Sequence, residues 1–177
     1  MSSHAVVRTH QEPALVLWGC PTYEEAGAVD ELLEWHPFLW ASPSALPWLE
    51  ARNMQPDRCI SAEEEQNTSP IQFVRKGLEG AQVREINLVL GIGFTPETFL
   101  DELSVSALAL TLWCQGNRIF RASPPILRLW LHPKGSLSVW VESQWQAQPI
   151  DSEGFHSLKL GQPILIRYRP FPKINGM

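Results

Sequence analysis

Hydrophobic and polar positions show two kinds of pattern along roughly the first hundred residues of the chain. Short apolar runs bounded by Gly, Pro or polar residues are typical of buried strands, and apolar residues three or four apart are typical of helices. These patterns predict strands over 14–19, 38–41, 58–61 and 85–90, and helices over 22–36, 44–52, 69–79 and 95–103. Because strands and helices alternate, the pattern favours a parallel sheet with crossover helices.

The helical spacing of apolar residues ends after residue 103. Strand-like segments are predicted over 107–113, 118–122, 126–132, 137–141 and 163–169. Turn sequences such as Gln115-Gly116-Asn117 separate them, which is typical of antiparallel strands. The predicted fold class is therefore α/β, with a Rossmann-like parallel-sheet N-terminal half followed by an antiparallel β-sandwich C-terminal half. The corresponding division is a tail (1–12), an α/β domain (13–104), a β-sandwich domain (105–169) and a second tail (170–177).

Local signals mark several ends of elements. Thr22 is expected to cap the first helix, with Glu24 and Glu25 in its first turn, where the helix dipole favours anions. Asn53 is expected to end the second helix in a left-handed conformation. Glu63-Glu64-Glu65 follows a predicted strand and is interpreted as an acidic loop.

Composition narrows the class of protein. The chain has 177 residues, of which 44% are hydrophobic and 19% charged, so it has enough apolar surface to fold. A net charge of −5 argues against duplex nucleic acid as a partner. No apolar run approaches the roughly 20 residues of a membrane-spanning helix. Residues 1–11 lack the apolar stretch of a signal peptide, so a cytoplasmic location without membrane contact is expected.

Cysteine and tryptophan are both assigned to the core. Three cysteines, Cys20, Cys59 and Cys114, are too few and too widely spaced for a disulfide framework or a CxxC motif. The chain also has eight Trp residues. The ones in apolar runs are expected to pack inside, as large side chains in such runs usually do: Trp18, Trp40, Trp113, Trp130 and Trp140.

Two short motifs carry candidate chemistry. Gly91-Ile92-Gly93 follows a strand and precedes a helix, where α/β folds bind phosphates, although a tight turn explains the same sequence. Glu63-Glu64-Glu65 offers the oxygen ligands that divalent cations prefer, or else forms a solvated acidic surface. The five histidines show no metal-ligand spacing.

The order of these segments resembles that of thiamine pyrophosphokinase, which transfers a pyrophosphoryl group from ATP to thiamine. The resemblance covers residue 12 to about residue 169. It implies the same α/β-then-β fold, a homodimer, and magnesium with ATP in an active member. The matching segments are 14–19 (Ala-Leu-Val-Leu-Trp-Gly), 38–41 (Phe-Leu-Trp-Ala), 48–57 ending in Gln-Pro-Asp, 65–70 (Glu-Gln-Asn-Thr-Ser-Pro), 84–91 ending in Leu-Val-Leu-Gly, and 150–155 (Ile-Asp-Ser-Glu-Gly-Phe).

This sequence departs from the family where the family carries its carboxylates. The resemblance places these positions at Ser42 or Pro43, Ala62, Ser69 or Pro70, and Thr98, with Glu64 as the one acidic survivor. Thr95-Pro96 follows the glycine loop where the family has a phosphate-binding Arg. We therefore assign no catalytic residue and no metal ligand. The resemblance instead implies a vestigial cleft at Ser42, Ser61, Glu64, Gly91 and Gly93, and a thiamine-side segment at Ser152, Gly154 and Phe155.

Three hypotheses about function remain open. The first is a degenerate thiamine pyrophosphokinase-like protein that needs no cofactor and has at most residual binding of a nucleotide or thiamine-type ligand. The second is an active enzyme that uses Mg²⁺ and ATP at a rearranged site built on Glu63, Glu64 and Glu97. The third is a ligand-free dimeric scaffold or partner-binding module. The resemblance implies a homodimer with the β halves near the two-fold axis, where Trp130, Leu131 and Trp140 are expected to face outward.

Overall fold

The computed structural model describes residues 13–78, 85–106 and 108–170. A nine-stranded sheet runs through it in the order β3-β2-β1-β4-β5-β6-β11-β8-β9, and β7 and β10 form a separate two-stranded sheet. The strands are β1 (Ala14–Trp18), β2 (Phe38–Ala41), β3 (Arg58–Cys59), β4 (Ile86–Leu90), β5 (Leu110–Cys114), β6 (Asn117–Ala122), β7 (Ile126–Leu131), β8 (Ser136–Val141), β9 (Gln144–Gln148), β10 (Gly154–Lys159) and β11 (Ile164–Arg169).

Strand direction changes at β5. β1 pairs in parallel with β2 and β4, and β4 pairs in parallel with β5. β3 also pairs in parallel with β2, whereas β5 pairs antiparallel with β6, and β11, β8 and β9 continue the sheet in antiparallel pairs. The predicted fold class is confirmed, and the backbone pairing continues from the parallel strands into the antiparallel ones without a gap.

Helices connect the parallel strands. They are α1 (Tyr23–Leu33), α2 (Leu46–Glu50), α3 (Ala62–Asn67), α4 (Pro70–Leu78) and α5 (Leu100–Ser104), with 3₁₀ turns at Pro43–Ala45 and Pro96–Phe99. The prediction of an acidic loop at Glu63-Glu64-Glu65 was wrong, because these residues form most of α3. Residue 79, the predicted end of the third helix, and residue 107, the predicted start of β5, lie outside the described residues.

Both faces of the parallel sheet are covered. On one face, α1 and α2 pack on Leu15 and Leu17 of β1. On the other, α4 and α5 pack on Trp18, Trp40 and their neighbours. Phe73 of α4 touches both indole rings, with ring centroids 5.1 Å from Trp18 and 5.7 Å from Trp40. No helix among the described residues is long and apolar enough to span a bilayer.

The two-stranded sheet packs its inner face on the antiparallel end of the large sheet. Leu127, Leu129 and Leu158 contribute to this smaller core, together with Ile166 of β11. Ile126, Trp130 and Phe155 lie on its outer, exposed face. The sequence pattern predicts neither β9 nor β10, and both strands are present in the structure.

Several predicted burial states were wrong. Trp130 is 55% exposed on the outer face of β7, so its expected packing in the core was wrong and its expected outward orientation agrees with the structure. Leu131, expected to face outward, is buried, and Trp140 is half-buried against Trp145 and the large core. Cys114 is buried as expected, but Cys59 is exposed on the short edge strand β3 and Cys20 is half-buried.

Candidate functional site

The order of the strands reverses between β1 and β4. From β1 the chain continues to β2 and β3 on one side, and it later returns to β4 and β5 on the other side. In open α/β sheets, ligands bind in the crevice beyond the carboxyl ends of the strands at such a switch point. The loops after β1, β2 and β4 therefore define the candidate site, which we call the switch-point crevice: Gly19 to Thr22, Ser42 to Ser44, and Gly91 to Thr95.

Close backbone packing explains the glycines of the crevice. A Cβ atom on Gly91 would lie 2.6 Å from the Cys20 carbonyl oxygen and 2.6 Å from the Gly19 carbonyl carbon. A Cβ atom on Gly19, which has a φ of +99°, would lie 3.0 Å from the Gly91 Cα atom. Gly93 has a φ of +97° and open space around its missing Cβ atom. The Gly-x-Gly sequence thus allows two loops to touch and the chain to turn.

Ser42 lies in the same crevice. Its side chain is fully buried, and its hydroxyl oxygen accepts a hydrogen bond from the Gly19 N–H group at 2.9 Å. The Ser44 hydroxyl oxygen is 3.0 Å from the Ser42 hydroxyl oxygen, and the Ser44 O–H group donates a hydrogen bond to the Glu65 carboxylate. The structure therefore brings Ser42 and Gly91 together through Gly19, and the polar groups of this contact satisfy one another.

Ser61 and Glu64 form a capping box at the start of α3. The Glu64 N–H group donates to the Ser61 hydroxyl at 3.1 Å, and the Ser61 N–H group donates to the Glu64 carboxylate at 2.8 Å. The backbone bond from Ser61 contributes most to lowering the pKa of Glu64, followed by the Ser61 side chain; Arg58, 3.7 Å away, contributes less, and desolvation opposes the shift. Both residues follow β3, and β2 and β1 separate this position from β4 by about 14 Å at ordinary strand spacing. The structure does not join Ser61 and Glu64 to the glycine loop.

The predicted thiamine-side segment belongs to the other layer of the molecule. The Ser152 carbonyl oxygen accepts a hydrogen bond from His156 Nε2 at 2.7 Å. Gly154 begins β10, and Phe155 is 78% exposed on the outer face of that strand. The Phe155 ring contacts Trp130 at a centroid distance of 5.2 Å. This segment therefore contributes to an apolar surface on the two-stranded sheet, separate from the loops that follow β1 and β4.

Glu25, in the first turn of α1 beside the crevice, is a residue that the sequence analysis does not select for the site. Its carboxylate is 1% exposed and accepts three hydrogen bonds, one from the Gly116 N–H group at 2.8 Å, one from the Thr22 N–H group at 3.0 Å and one from the Thr22 hydroxyl. Thr22 begins α1 as predicted, so the Thr-x-x-Glu spacing of a capping box was a local signal for part of this arrangement. No local feature of the sequence indicates that Gly116, which is 91 residues away, is the other partner of Glu25.

The turn between β5 and β6 is also hydrogen-bonded to the loop that follows β4. The side chains of Cys114 and Gln115 both donate to the Phe94 carbonyl oxygen, at 3.5 Å and 3.1 Å. Burial raises the pKa of the Cys114 thiol to about 12, with smaller contributions from Glu25 and Glu97. This thiol is therefore protonated at neutral pH, and it is buried in the large hydrophobic core at the end of β5.

The carboxylates of this region do not fit the magnesium site that the family resemblance implies. Among the described residues, no three His, Cys, Asp or Glu side chains are grouped so that they could hold a metal ion. Glu25 is saturated by its three donors, and Glu64 is engaged by Ser61 and Arg58. Glu97 is 3.7 Å from Arg167 of β11. We therefore derive no step of a reaction through a metal ion.

These observations define a Rossmann-like α/β protein with an attached antiparallel β-sandwich layer. The fold is similar to that of thiamine pyrophosphokinase from Bacillus subtilis, with a TM-score of 0.54 and 12% identity over 91% of this chain and 100% of that chain. It is also similar to a probable thiamine pyrophosphokinase from Staphylococcus saprophyticus, with a TM-score of 0.53 and 14% identity over 90% and 99% of the two chains. A third similar structure is thiamin pyrophosphokinase from Geobacillus thermodenitrificans, with a TM-score of 0.52 and 10% identity over 92% and 99%.

Sequence comparison adds no relative. No protein-family model matches the chain, and no curated protein matches it. The resemblance to thiamine pyrophosphokinases is therefore confirmed at the level of the fold, over nearly the whole length of both chains.

Proposed function

We propose that this chain is a thiamine pyrophosphokinase-like protein that does not transfer pyrophosphate and that retains at most weak binding of a nucleotide or thiamine-type ligand. The observation that carries the proposal is the internal pairing of polar groups in the switch-point crevice. The Ser42 hydroxyl accepts from Gly19, and the Glu25 carboxylate accepts from Gly116 and Thr22. Groups that a phosphate would need are already bonded to other parts of the chain.

The residue types support the same conclusion. Pyrophosphoryl transfer depends on carboxylates that hold magnesium across the phosphates and on cations that balance the developing charge. The positions that the family resemblance assigns to carboxylates here hold Ser42 or Pro43, Ala62, Ser69 or Pro70, and Thr98. The Ser69 hydroxyl donates to the Glu102 carboxylate, so this polar group too has a partner within the chain. Because the loss of one such electrostatic contact costs about 10²- to 10³-fold in rate, the loss of several should bring turnover below detection.

The geometry disfavours an active site built on Glu63, Glu64 and Glu97. Glu63 and Glu64 lie on α3, which follows β3, whereas Glu97 lies in the 3₁₀ turn that follows β4. β2 and β1 lie between β3 and β4. Glu97 and Glu64 also each face an arginine, Arg167 and Arg58 respectively, at 3.7 Å. A single magnesium ion requires its ligands within about 2 Å of itself, so these carboxylates would need a large rearrangement to share one.

Direct assay of the reaction tests the proposal. The protein is incubated with ATP, Mg²⁺ and thiamine, and thiamine diphosphate is measured, with the Bacillus subtilis enzyme as a positive control for the assay. We expect no product above that formed without protein. Magnesium-dependent product that disappears in Glu64→Gln would contradict the proposal and favour the rearranged metal site.

A thermal-shift series separates residual ligand binding from a purely structural role. A ligand that binds only the folded state stabilises it by RT ln(1 + [L]/Kd), so the unfolding temperature rises with the logarithm of the ligand concentration once that concentration exceeds Kd. The series contains thiamine, thiamine monophosphate, thiamine diphosphate, ATP and ADP at millimolar concentration. A shift that grows with the logarithm of the concentration of any of these ligands supports residual binding, and no shift with all of them favours the scaffold hypothesis.

A second candidate function, that of a dimeric scaffold, is favoured by one surface. Trp130 and Phe155 face each other across β7 and β10 and are 55% and 78% exposed. Ile126, 47% exposed, lies on the same outer face. Exposed apolar groups of this kind mark interaction sites. We propose that this face lies at the interface of a homodimer, and light scattering that reports a monomer at micromolar concentration would refute it.

A further inference from the structure

The turn between β5 and β6 reaches across the end of β4. In the sheet, β4 lies between β1 and β5, with Val89 of β4 paired to Trp113 of β5 and Trp18 of β1 paired to Leu90 of β4. The turn at Gln115 and Gly116 follows β5, whereas Glu25 belongs to the helix that follows β1. The hydrogen bond between Gly116 and Glu25 therefore bridges the carboxyl end of β4, where the switch-point crevice is located.

We propose that this turn is a strap, held closed by Glu25, that must open before any ligand enters the switch-point crevice. The strap comprises residues 114–117. The inference goes beyond the proposed function, because it concerns access to the crevice and holds whether or not a ligand still binds.

Two independent attachments hold the strap in place. On the α1 side, the buried Glu25 carboxylate accepts from the Gly116 N–H group at 2.8 Å. On the β4 side, Cys114 and Gln115 donate to the Phe94 carbonyl oxygen. Beside the strap, Glu24 of α1 forms an ion pair with Arg169 of β11 at 3.0 Å, in which both side chains are about half exposed and no strap residue takes part. The buried bond to Glu25 should stabilise the closed strap more than this neighbouring pair does, because bonds to charged groups shielded from water stabilise more than exposed ion pairs do.

The backbone of the strap is that of a tight hairpin turn. Gly116 has a φ of +71°, which glycine adopts readily, and a Cβ atom there would lie 2.8 Å from the Glu24 carboxylate. Gln115 has a φ of +51° although it is not glycine. Positive φ at both positions is the usual conformation of a two-residue hairpin turn, and this turn joins Cys114 and Asn117, which pair across β5 and β6. The hairpin therefore sets the backbone of the strap, and the bond to Glu25 fixes the turn against α1.

Cys114 provides a direct probe of strap opening. The thiol is fully buried at the base of the strap, where Cys114 packs in the large hydrophobic core, and its pKa of about 12 keeps it protonated at pH 8. Iodoacetamide reacts with thiolates, so Cys114 should react only when it becomes exposed. Exposed Cys59 lies on β3, far from the strap, and serves as an internal reference in the same molecule.

The decisive experiment compares Glu25→Gln with Glu24→Gln by site-resolved mass spectrometry of alkylation. The amide at position 25 keeps one acceptor oxygen but turns an NH₂ group toward a backbone donor. We expect Cys114 alkylation to accelerate by about 10- to 100-fold in Glu25→Gln, the range that loss of a buried bond to a charged group predicts. In Glu24→Gln the rate should change by less than about threefold, because that pair is half exposed. Cys59 should react equally in all proteins.

Amide hydrogen exchange separates strap opening from global unfolding. Amides of residues 114–117 should exchange faster in Glu25→Gln, while those of β1 and β4 remain protected. In the wild type, exchange of the strap should be insensitive to low urea concentrations and that of β4 should be sensitive, as for local opening. This wild-type measurement stands even if the Glu25 variant fails to fold.

Three outcomes would contradict the proposal that residues 114–117 form a strap. One is equal Cys114 alkylation in the wild type and Glu25→Gln. Another is acceleration at Cys114 matched by equal loss of protection in β4, which would mean that Glu25 supports the whole fold and not a local closure. The third is urea-sensitive exchange of residues 114–117 in the wild type, with the same slope as β4. None of these measurements contains a ligand, so their failure leaves the test of the proposed function unaffected.

Discussion

Replacing Gly91 by Ala would place a methyl group between two loops that touch through their backbones. The added Cβ atom would lie 2.6 Å from the Cys20 carbonyl oxygen, 2.6 Å from the Gly19 carbonyl carbon and 2.7 Å from the Cys20 nitrogen. All three atoms belong to the backbone, so no side chain can rotate away. The loops after β1 and β4 must separate by about 0.8 Å to restore ordinary contact at 3.4 Å.

Separating these loops would disturb the pairing of β1 with β4 at the centre of the sheet and so reduce the free energy of unfolding. β1 and β4 are paired over five positions, from Ala14 with Ile86 to Trp18 with Leu90, and all ten residues except Asn87 are apolar. Overpacking of a rigid site costs about 1 to 3 kcal/mol, and we place Gly91→Ala at the upper end because only backbone can yield. For a chain of this size, each kcal/mol lowers the unfolding temperature by about 2 to 4 °C.

Gly27→Ala is the matched control. Gly27 lies in the exposed part of α1, and a Cβ atom there would have no neighbour within 4 Å. Alanine in a helix is favoured over glycine by about 0.5 to 1 kcal/mol, so this variant should be more stable than the wild type. The same chemical change is thus expected to have opposite signs at the two positions.

Urea denaturation followed by circular dichroism measures both variants. Gly91→Ala should shift the midpoint downward and Gly27→Ala upward, with unchanged slopes. If Gly91→Ala is within 0.5 kcal/mol of the wild type, as ordinary surface substitutions are, the close contact between the two loops does not exist in solution and our account of the Gly-x-Gly motif is refuted.

Three further variants test other parts of the structure. Ser42→Ala leaves the buried Gly19 N–H group without an acceptor and should reduce the free energy of unfolding by about 1 to 3 kcal/mol, measured in urea; an unchanged midpoint would contradict the bond. The pKa of Glu64 is lowered in the folded state, so the stability that this carboxylate contributes is present above the unfolded pKa of 4.5 and is lost as the pH falls through the folded pKa. Glu64→Gln should therefore weaken the dependence of the unfolding temperature on pH below about 4.5. The same pH profile in the variant and the wild type would contradict this prediction. Trp130→Glu should leave circular dichroism unchanged and reduce the molar mass seen by light scattering, because the charge lies in the proposed dimer face; an unaltered dimer would remove that face from the interface.

Elements that carry a strong apolar pattern could be predicted from the sequence. β1, β2 and β4 are short apolar runs between breaking residues, and they were located to within a residue at each end. Asn53 has a φ of +54°, which confirms the predicted left-handed end of the second helix. In these places the local preference and the buried environment favour the same conformation, so a single sequence is sufficient.

β9 was missed because tertiary contacts and not pattern stabilise it. Its sequence is Gln-Trp-Gln-Ala-Gln, with one large apolar residue. The strand is held by pairing with β8 and by the Trp140–Trp145 contact, with ring centroids 5.0 Å apart. The turn that precedes it has positive φ at Glu142 and Ser143, where neither residue is the glycine or asparagine that usually signals such a hairpin.

α3 was misjudged for a different reason. Three successive glutamates look like a solvated loop, yet Ser61 and Glu64 have the Ser-x-x-Glu spacing of a capping box. Acidic residues in the first turn of a helix also interact favourably with its dipole. The signal for the helix was present, and the interpretation of the charge run as a loop outweighed it.

The candidate site could be predicted from the sequence only in part, because its contacts join residues that are distant along the chain. Ser42 and Gly91 could be selected from the resemblance to a known family, and the structure brings them together through Gly19. The contact of Glu25 with Gly116 spans 91 residues and depends on the parallel-to-antiparallel change at β5. A buried carboxylate in a capping box has a sufficient local explanation, so nothing in a single sequence indicates the second partner.

The closed strap also sets the conditions under which any remaining ligand can be detected. A ligand that enters the switch-point crevice must compete with bonds inside the chain rather than with water, because Glu25 occupies the Gly116 and Thr22 N–H groups and Ser42 occupies that of Gly19. When the competent state is a fraction of the population, the apparent dissociation constant rises by the inverse of that fraction. A strap open about 1% of the time would weaken binding about 100-fold. Ligands that shift the unfolding temperature of Glu25→Gln at lower concentration than they shift the wild type would therefore reveal a binding site that the strap conceals.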